Sequence, residues 1–233
     1  MSIAENVAQI RKRMSAAAIA AGRDPKEVSL LAATKMNDAD RVKEAVAAGV
    51  DACGENRVQE LVQKQPLGAY EGVPVHFIGR LQTNKVKYIA PYITMIEAVD
   101  SLKLLREIDK QAAKNERVID VLLELHIAEE ETKYGLTPDA CRQLLSEGQW
   151  RELTHVRICG LMMMASYVED EQQIRNEFRI AKNLFDELKD RYFADAPWFK
   201  ERSWGMSHDY PIAVEEGSTM VRVGTSIFGP RVY

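Results

Sequence analysis

The chain has 233 residues, 46% of them apolar and 28% charged, and its 31 basic and 35 acidic residues leave a net charge of −4. That is the balance of a soluble globular protein long enough to bury a core without disulfide staples, so disorder, collagen-like repeats and a small secreted scaffold are excluded. The charge leaves no broad basic face for nucleic acid, and no run approaches the ~20 apolar residues of a membrane span.

A helical stretch opens the chain near 2–22. Within it Arg11, Lys12 and Arg13 precede the alanine-rich run 16–21, which imitates the charged and apolar parts of a signal peptide. That run is short and follows Glu5, so an amphipathic helix is expected instead. Val28 to Ala33 then reads as a buried strand ending at Thr34-Lys35, with Asp38 as N-cap of a helix that runs to Ala48 and stops at Gly49. Further strands are expected at 51–54, 75–78, 93–97, 118–125, 155–161, 202–205 and 219–223. Helices are expected between them near 56–65, 82–90, 101–114, 138–147, 170–191 and 208–216. Asp100-Ser101 and Thr137-Pro138 carry helix-start chemistry, and Gly148 and Gly217 carry stops.

Strict alternation of eight strands with seven helices, plus one helix in front, implies right-handed crossovers and a parallel sheet. The expected fold class is therefore α/β, closed into a (β/α)8 TIM-type barrel with an additional N-terminal helix. An open doubly wound sheet would carry a glycine-rich turn after the first strand, whereas 33–37 reads Ala-Thr-Lys-Met-Asn. No Pro/Gly/Ser-rich linker or short repeat divides residues 1–233, so one domain is expected. Cys53, Cys141 and Cys159 lie far apart and form no C-x-x-C pair, which fits reduced thiols in a cytoplasmic protein.

Functional groups of a parallel barrel gather where strands end. Lys35 continues an apolar strand on the same face as Leu31 and Ala33. If that face looks into the barrel, the ammonium sits beside low-dielectric walls that favour the neutral amine, the form that condenses with aldehydes. On the last strand Met220, Arg222 and Gly224 share the inner face while Val221 and Val223 face the helices. A buried guanidinium needs acceptors, either an internal carboxylate such as Glu97 or Glu124 or a group on a ligand. The run Gly224-Thr225-Ser226-Ile227-Phe228-Gly229 follows, where glycine and helix-start N–H groups suit an anion, and Ser207 can add a hydroxyl. Closing the barrel sets the last strand beside the first at ~4.8 Å. A phosphate at Gly224 and Thr225 would then lie one small ring from the Lys35 amine. Pyridoxal phosphate carries its aldehyde and phosphate at that separation, and its ring nitrogen would fall near Arg222.

Other patterns are set aside. Ser207-His208-Asp209 names a triad, but consecutive residues cannot form its relay. His76, His126, His155 and His208 lack metal-ligand spacing, so no metal is expected. The run 79–85 lacks the second glycine and the ending of a phosphate-binding P-loop. Met162, Met163 and Met164 read as barrel packing, and Cys53 and Cys159 as inert core thiols.

The stretches LLAATK (30–35), GENRVQE (54–60), HFIGRLQTNK (76–85), ETKYGL (131–136), GLMMM (160–164) and WGMSHDYPIAVEEGSTMVRVGTSIFGPR (204–231) span nearly the whole chain. On these motifs the sequence resembles the pyridoxal-phosphate homeostasis protein family, which looks like the N-terminal barrel domain of alanine racemase standing alone. The resemblance implies that Lys35 carries pyridoxal 5'-phosphate as a Schiff base. It also implies that Ser207, Gly224 and Thr225 bind the phosphate, that Arg222 faces the pyridine nitrogen, and that Asn56 lines the pocket. One departure is His126, where the family commonly has asparagine, and it puts the polar contacts at the end of the fifth strand in doubt.

An arginine donates to the pyridine nitrogen and leaves it unprotonated, which makes the ring a poor electron sink. Racemisation also needs bases on both faces of the substrate carbon. In the related racemases one base is a tyrosine from a further C-terminal domain, whereas this sequence ends at Tyr233. The expectation is a cytoplasmic carrier of pyridoxal phosphate that takes part in vitamin B6 homeostasis, without robust catalysis and with no catalytic residues. The alternatives are a low-activity PLP-dependent amino-acid racemase and a barrel aldolase acting through Lys35. Expected partners are the cofactor and PLP-dependent apo-enzymes, with no nucleic acid and no membrane, and the expected state is a monomer.

Overall fold

The structure, a computed structural model, describes residues 1–127 and 134–229. Two pieces of the motifs above, residues 131–133 and 230–231, lie outside the described residues, as does the chain end at Tyr233. Among the described residues eight strands alternate with helices. The strands are β1 (Ser29–Ala33), β2 (Ala52–Glu55), β3 (Val75–Phe77), β4 (Met95–Val99), β5 (Ile119–Leu125), β6 (Val156–Met163), β7 (Glu201–Ser203) and β8 (Met220–Val223). Each pairs in parallel with its successor, and β8 pairs with β1 to close the barrel. The helices are α1 (Ile3–Ala20), α2 (Ala39–Ala47), α3 (Val58–Lys64), α4 (Val86–Ile89), α5 (Leu102–Lys114), α6 (Pro138–Ser146), α7 (Glu171–Tyr192), α8 (Tyr210–Glu215) and α9 (Thr225–Phe228). No described helix is long and apolar enough to cross a membrane.

Apolar residues occupy both faces of the strands because parallel strands in this fold are covered on both sides. Leu30 and Ala32 of β1 join the main core under the helices. Leu31, with Ala52 and Met220, forms a small cluster inside the barrel. Met95, Ala98, Leu122, Cys159 and Met162 make a second interior cluster. The expected caps are in place: Asp38 accepts from the Arg41 N–H, Ser101 from Leu104 and Thr137 from Ala140.

Several boundaries differ from the sequence reading. The expected helix near 82–90 is a 3-10 turn at Thr83–Lys85 followed by the single turn of α4. The fourth strand is displaced towards its C-terminal end and the seventh is cut to three residues. Gly160 explains part of the local irregularity. Its φ is +153°, and a Cβ there would come 1.8 Å from the Glu201 carbonyl oxygen, so only glycine lets β6 run against β7.

The additional N-terminal helix has a structural task. After β8 only the short α9 is described, and α1 packs against α2, α8 and α9, covering the outside of the β8–β1 seam. A capping box between Ser2 and Glu5 starts α1, and Val7, Ile10 and Met14 form its buried stripe. Asn6 Nδ2 donates to the Ile227 carbonyl at 2.8 Å, tying α1 to α9.

Candidate functional site at the barrel mouth

The barrel interior carries a polar layer near its C-terminal end. Glu97 on β4 is fully buried and accepts hydrogen bonds from His76 Nδ1 at 2.7 Å and Ser203 Oγ at 2.6 Å. These bonds, with the Arg222 charge, hold its carboxyl below the usual range despite burial. Arg222 on β8 donates to the Ser203 carbonyl (2.6 Å) and hydroxyl (2.7 Å) and to the Met163 carbonyl (2.8 Å). Its guanidinium stands 3.9 Å from Glu97. Burial pulls Arg222 down from its ordinary value, while Glu97, Asp209 and Glu124 oppose that pull. The internal acceptors foreseen for a buried arginine are therefore present, and Arg222 also lines the cavity above them.

Lys35 stands two residues beyond the end of β1 rather than on the strand itself. The chain turns there because Asn37 N–H bonds the Thr34 carbonyl at 3.2 Å, and Met36 takes a left-handed φ of +61°. The turn is braced from below. Lys64 of α3 donates to the Thr34 carbonyl (3.0 Å), Glu55 (2.7 Å) and Glu60 (3.2 Å). Glu60 in turn accepts the Met36 N–H at 2.7 Å. Both chain neighbours of Lys35 are thus held by one buried ion-pair network, which Thr34 Oγ1 and Tyr70 complete by donating to Glu55.

Across the seam, Leu31 pairs with Arg222 and Ala32 with Val223, so β8 ends beside the Lys35 turn. Ser207 Oγ accepts from the N–H groups of Gly224 (3.2 Å) and Ser226 (3.4 Å), knitting the loop after β7 to the start of α9. Ser207 does not open α8, whose N-cap is Asp209. Gly224 has an ordinary φ of −118°. Its role is close approach, since a Cβ would lie 3.2 Å from the Ala33 carbonyl across the seam.

These groups share one cavity of about 840 Å3, lined by Lys35, Asn56, Arg222, Ser207, Gly224 and Thr225. All six residues singled out in the sequence therefore meet. Asn56 brings a buried Oδ1 with no hydrogen-bond partner. His126 does not line this cavity, and its Nδ1 is buried without a partner.

The cavity has further walls that the sequence reading left out of the site. Glu124 at the end of β5 is buried, and burial together with Asp100 raises its carboxyl to about 7 against the pull of Arg222 and Arg80. Arg80 stacks 3.8 Å from the Tyr134 ring centre. Arg41 reaches the cavity from α2, and Met164, alone among the three consecutive methionines, lines it. Strand-end position marks Glu124 and Met164 in the sequence. Nothing there marks Arg41, which arrives through the way α2 packs.

The set-aside patterns resolve structurally. His208 Nε2 lies 3.2 Å from Asp209 and its ring meets Tyr167 edge-on at 4.8 Å, while Ser207 Oγ turns to the Gly224 N–H, so no relay forms. All three cysteines are free and buried, and burial pushes each thiol up to about 12. Among the described residues no cluster of His, Cys, Asp or Glu could hold a metal ion.

Comparison with known proteins agrees with this arrangement. The family model described as "Alanine racemase, N-terminal domain" matches residues 2–232. A pyridoxal phosphate homeostasis protein of Aquifex aeolicus (strain VF5) is 39% identical over 233 residues, the full length of both chains. The structure of PipY from Synechococcus elongatus PCC7942, solved with PLP bound, superposes with a TM-score of 0.83 at 33% identity, covering 98% of this chain and 100% of that one. Alanine racemase from Streptomyces coelicolor A3(2) shares the fold alone, with a TM-score of 0.72 at 15% identity over 99% of this chain and 59% of that one. With full-length relatives and a matched barrel model in agreement, the chain belongs to the pyridoxal phosphate homeostasis proteins, within the alanine racemase N-terminal domain family.

Proposed function

We propose that this chain binds pyridoxal 5'-phosphate in the barrel mouth, holds it through Lys35, and serves intracellular vitamin B6 homeostasis as a carrier rather than a turnover enzyme. The observation that carries the reading is the meeting of an amine, a guanidinium and a hydroxyl-lined loop from opposite ends of the chain in one cavity. The residues fit the group on two counts. The unpartnered, buried Asn56 Oδ1 is an acceptor that calls for a ligand donor. The donor set is also apt, because a braced lysine faces a cradle of hydroxyls with a fixed arginine beneath. A relative whose structure was solved with PLP bound supports pyridoxal phosphate as the ligand.

When bound, the cofactor supplies an aldehyde that captures primary amines. Lys35 Nζ offers that amine from a turn whose two flanks are pinned by Lys64 and Glu60. Ser207, Thr225 and the Gly224 backbone receive the phosphate, and Asn56 orients the ring. Arg222, tied to Ser203 and Met163, would donate to the ring nitrogen and leave it unprotonated, a poorer electron sink that disfavours carbanion chemistry beyond racemisation. The reading extends to one barrel unit over 1–233, monomeric in the cytoplasm, that hands the cofactor to apo-enzymes.

A second reading, a low-activity amino-acid racemase, is favoured by Glu124 and His208, which line the cavity from the ends of different strands. Two measurements decide. Borohydride reduction of the loaded protein followed by peptide mass spectrometry is expected to place the pyridoxyl group on Lys35, and Lys35→Ala to lose both adduct and visible absorbance. Solvent deuterium at the α-carbon of added amino acids is expected to stay at background. An adduct elsewhere overturns the carrier site, and sustained Lys35-dependent exchange selects the racemase.

A further inference from the structure

Arg41 has no part in the site proposed above, yet its side chain points at it. It sits in the first turn of α2, where Asp38 accepts its backbone N–H at 2.9 Å. From there the side chain crosses to the segment after β8. One terminal nitrogen donates to the Phe228 carbonyl, and the guanidinium lies 5.8 Å from the Phe228 ring centre. Its Nε is buried and has no hydrogen-bond partner. The same side chain lines the cavity with Thr225, Ser226 and Gly229.

Charge makes this position informative. A phosphate monoester carries roughly −1.5 to −2 at neutral pH. The cradle formed by Ser207, Gly224, Thr225 and Ser226 offers only neutral donors. Arg222 is engaged at the inner end of the cavity with Ser203, Met163 and Glu97, and the Lys35 amine is reserved for the aldehyde. Among the described residues Asp38 is the one carboxylate on this stretch of wall, and its Oδ1 is occupied by the Arg41 N–H. A guanidinium has five N–H donors, of which the Phe228 carbonyl takes one. The unsatisfied Nε–H is the sort of buried donor that a missing ligand accounts for.

We infer that Arg41 is the charged phosphate-recognition residue of this pocket and makes it select phosphorylated over unphosphorylated B6 aldehydes. The inference rests on the carrier reading of the same cavity. Arg41 joins α2, which follows β1, to the cradle that follows β8, so a phosphate held there is gripped from both sides of the seam.

The test is equilibrium binding of pyridoxal phosphate and of pyridoxal to the full chain across a salt series, for wild type, Arg41→Gln and Arg41→Lys. Loss of a charge-assisted bond predicts pyridoxal phosphate binding weakened roughly tenfold or more in Arg41→Gln, with pyridoxal changed by less than about twofold. The salt dependence of phosphate-ester binding should flatten in Arg41→Gln, while Arg41→Lys restores the charge and part of the affinity without the planar fork. Equal weakening of both aldehydes would mean that Arg41 only supports the Phe228 segment, and it overturns the inference. So does unchanged pyridoxal phosphate affinity, or an unchanged salt slope. Should Arg41→Gln fail to fold, Arg41→Met is a second neutral variant read by the same criteria. A wild-type protein that takes up neither aldehyde sinks the carrier reading itself, a result distinct from failure of Arg41 alone.

Discussion

Lys64 and Glu124 are both buried side chains near the same cavity, and they differ in the partners that surround them. Lys64 donates to two carboxylates and a carbonyl within 3.2 Å. Its partner Glu55 is pushed up by burial and drawn back by Lys64 and Thr34. Among the described residues Glu124 has no such partner, and burial raises it to about 7. For a carboxyl whose folded value lies above its unfolded one, the folded state binds more protons between the two, so stability falls as pH rises through that interval. Thermal melts of the cofactor-free protein should therefore show a Glu124-dependent loss of stability from about pH 4.5 to about pH 7, levelling above it. Glu124→Gln should remove that slope and be the more stable protein at pH 8. Identical pH profiles for the two proteins would refute the assignment. At this scale Arg222 was legible in the strand alternation, Lys35 in its place near a strand end, and Asn56 in the family motif. Lys64 and Arg41 were not, since each acts through a helix whose packing angle no local pattern encodes.

Among the elements, α1 stands apart because it precedes the first strand yet closes the fold. Its stripe of Val7, Ile10 and Met14 packs where α2, α8 and α9 converge. Ile10 is 3% exposed. Truncating it to alanine should cost about 2–5 kcal/mol, the range for deleting buried methylenes and leaving a cavity. Chemical denaturation would read this as a lower midpoint with an unchanged m-value, and a loss below about 1 kcal/mol would show that α1 is dispensable to the seam. The existence and order of the eight strands were readable because buried parallel strands are continuous apolar runs between helix-start and helix-stop residues. Their ends were less so. The third-to-fourth helix region broke into a 3-10 turn and a single α turn, and the Lys35 turn left the strand two residues early. At the Lys35 turn, side chains of α3 rather than local propensity hold the backbone.

Seen whole, the barrel is joined by β8–β1 pairing, and its candidate site sits on that join. On the proposed reading the cofactor spans the seam, with Lys35 after β1 on one side and Ser207, Gly224 and Thr225 on the other. A ligand that binds only the closed barrel stabilises it by mass action, about 2.7 kcal/mol at a hundredfold excess over Kd. Adding pyridoxal phosphate should thus raise the melting temperature of wild type, and stripping it should reverse the gain. In Lys35→Ala the rise should shrink to what the phosphate grip alone provides. A full rise in Lys35→Ala would show that the amine contributes nothing to holding the cofactor.

Periodicity, strand-end chemistry and family motifs were enough, from the sequence alone, to establish an eight-stranded parallel barrel and six residues that converge on one mouth. Those features are local, since alternation assigns faces and glycine, serine and aspartate mark where elements start and stop. Tertiary structure alone decided that α1 backs the seam, that a buried lysine braces the Lys35 turn, that burial raises the Glu124 carboxyl, and that Arg41 lines the cavity. Each of these depends on distances between segments far apart in the chain, and burial and pairing at such distances are properties of the packed molecule.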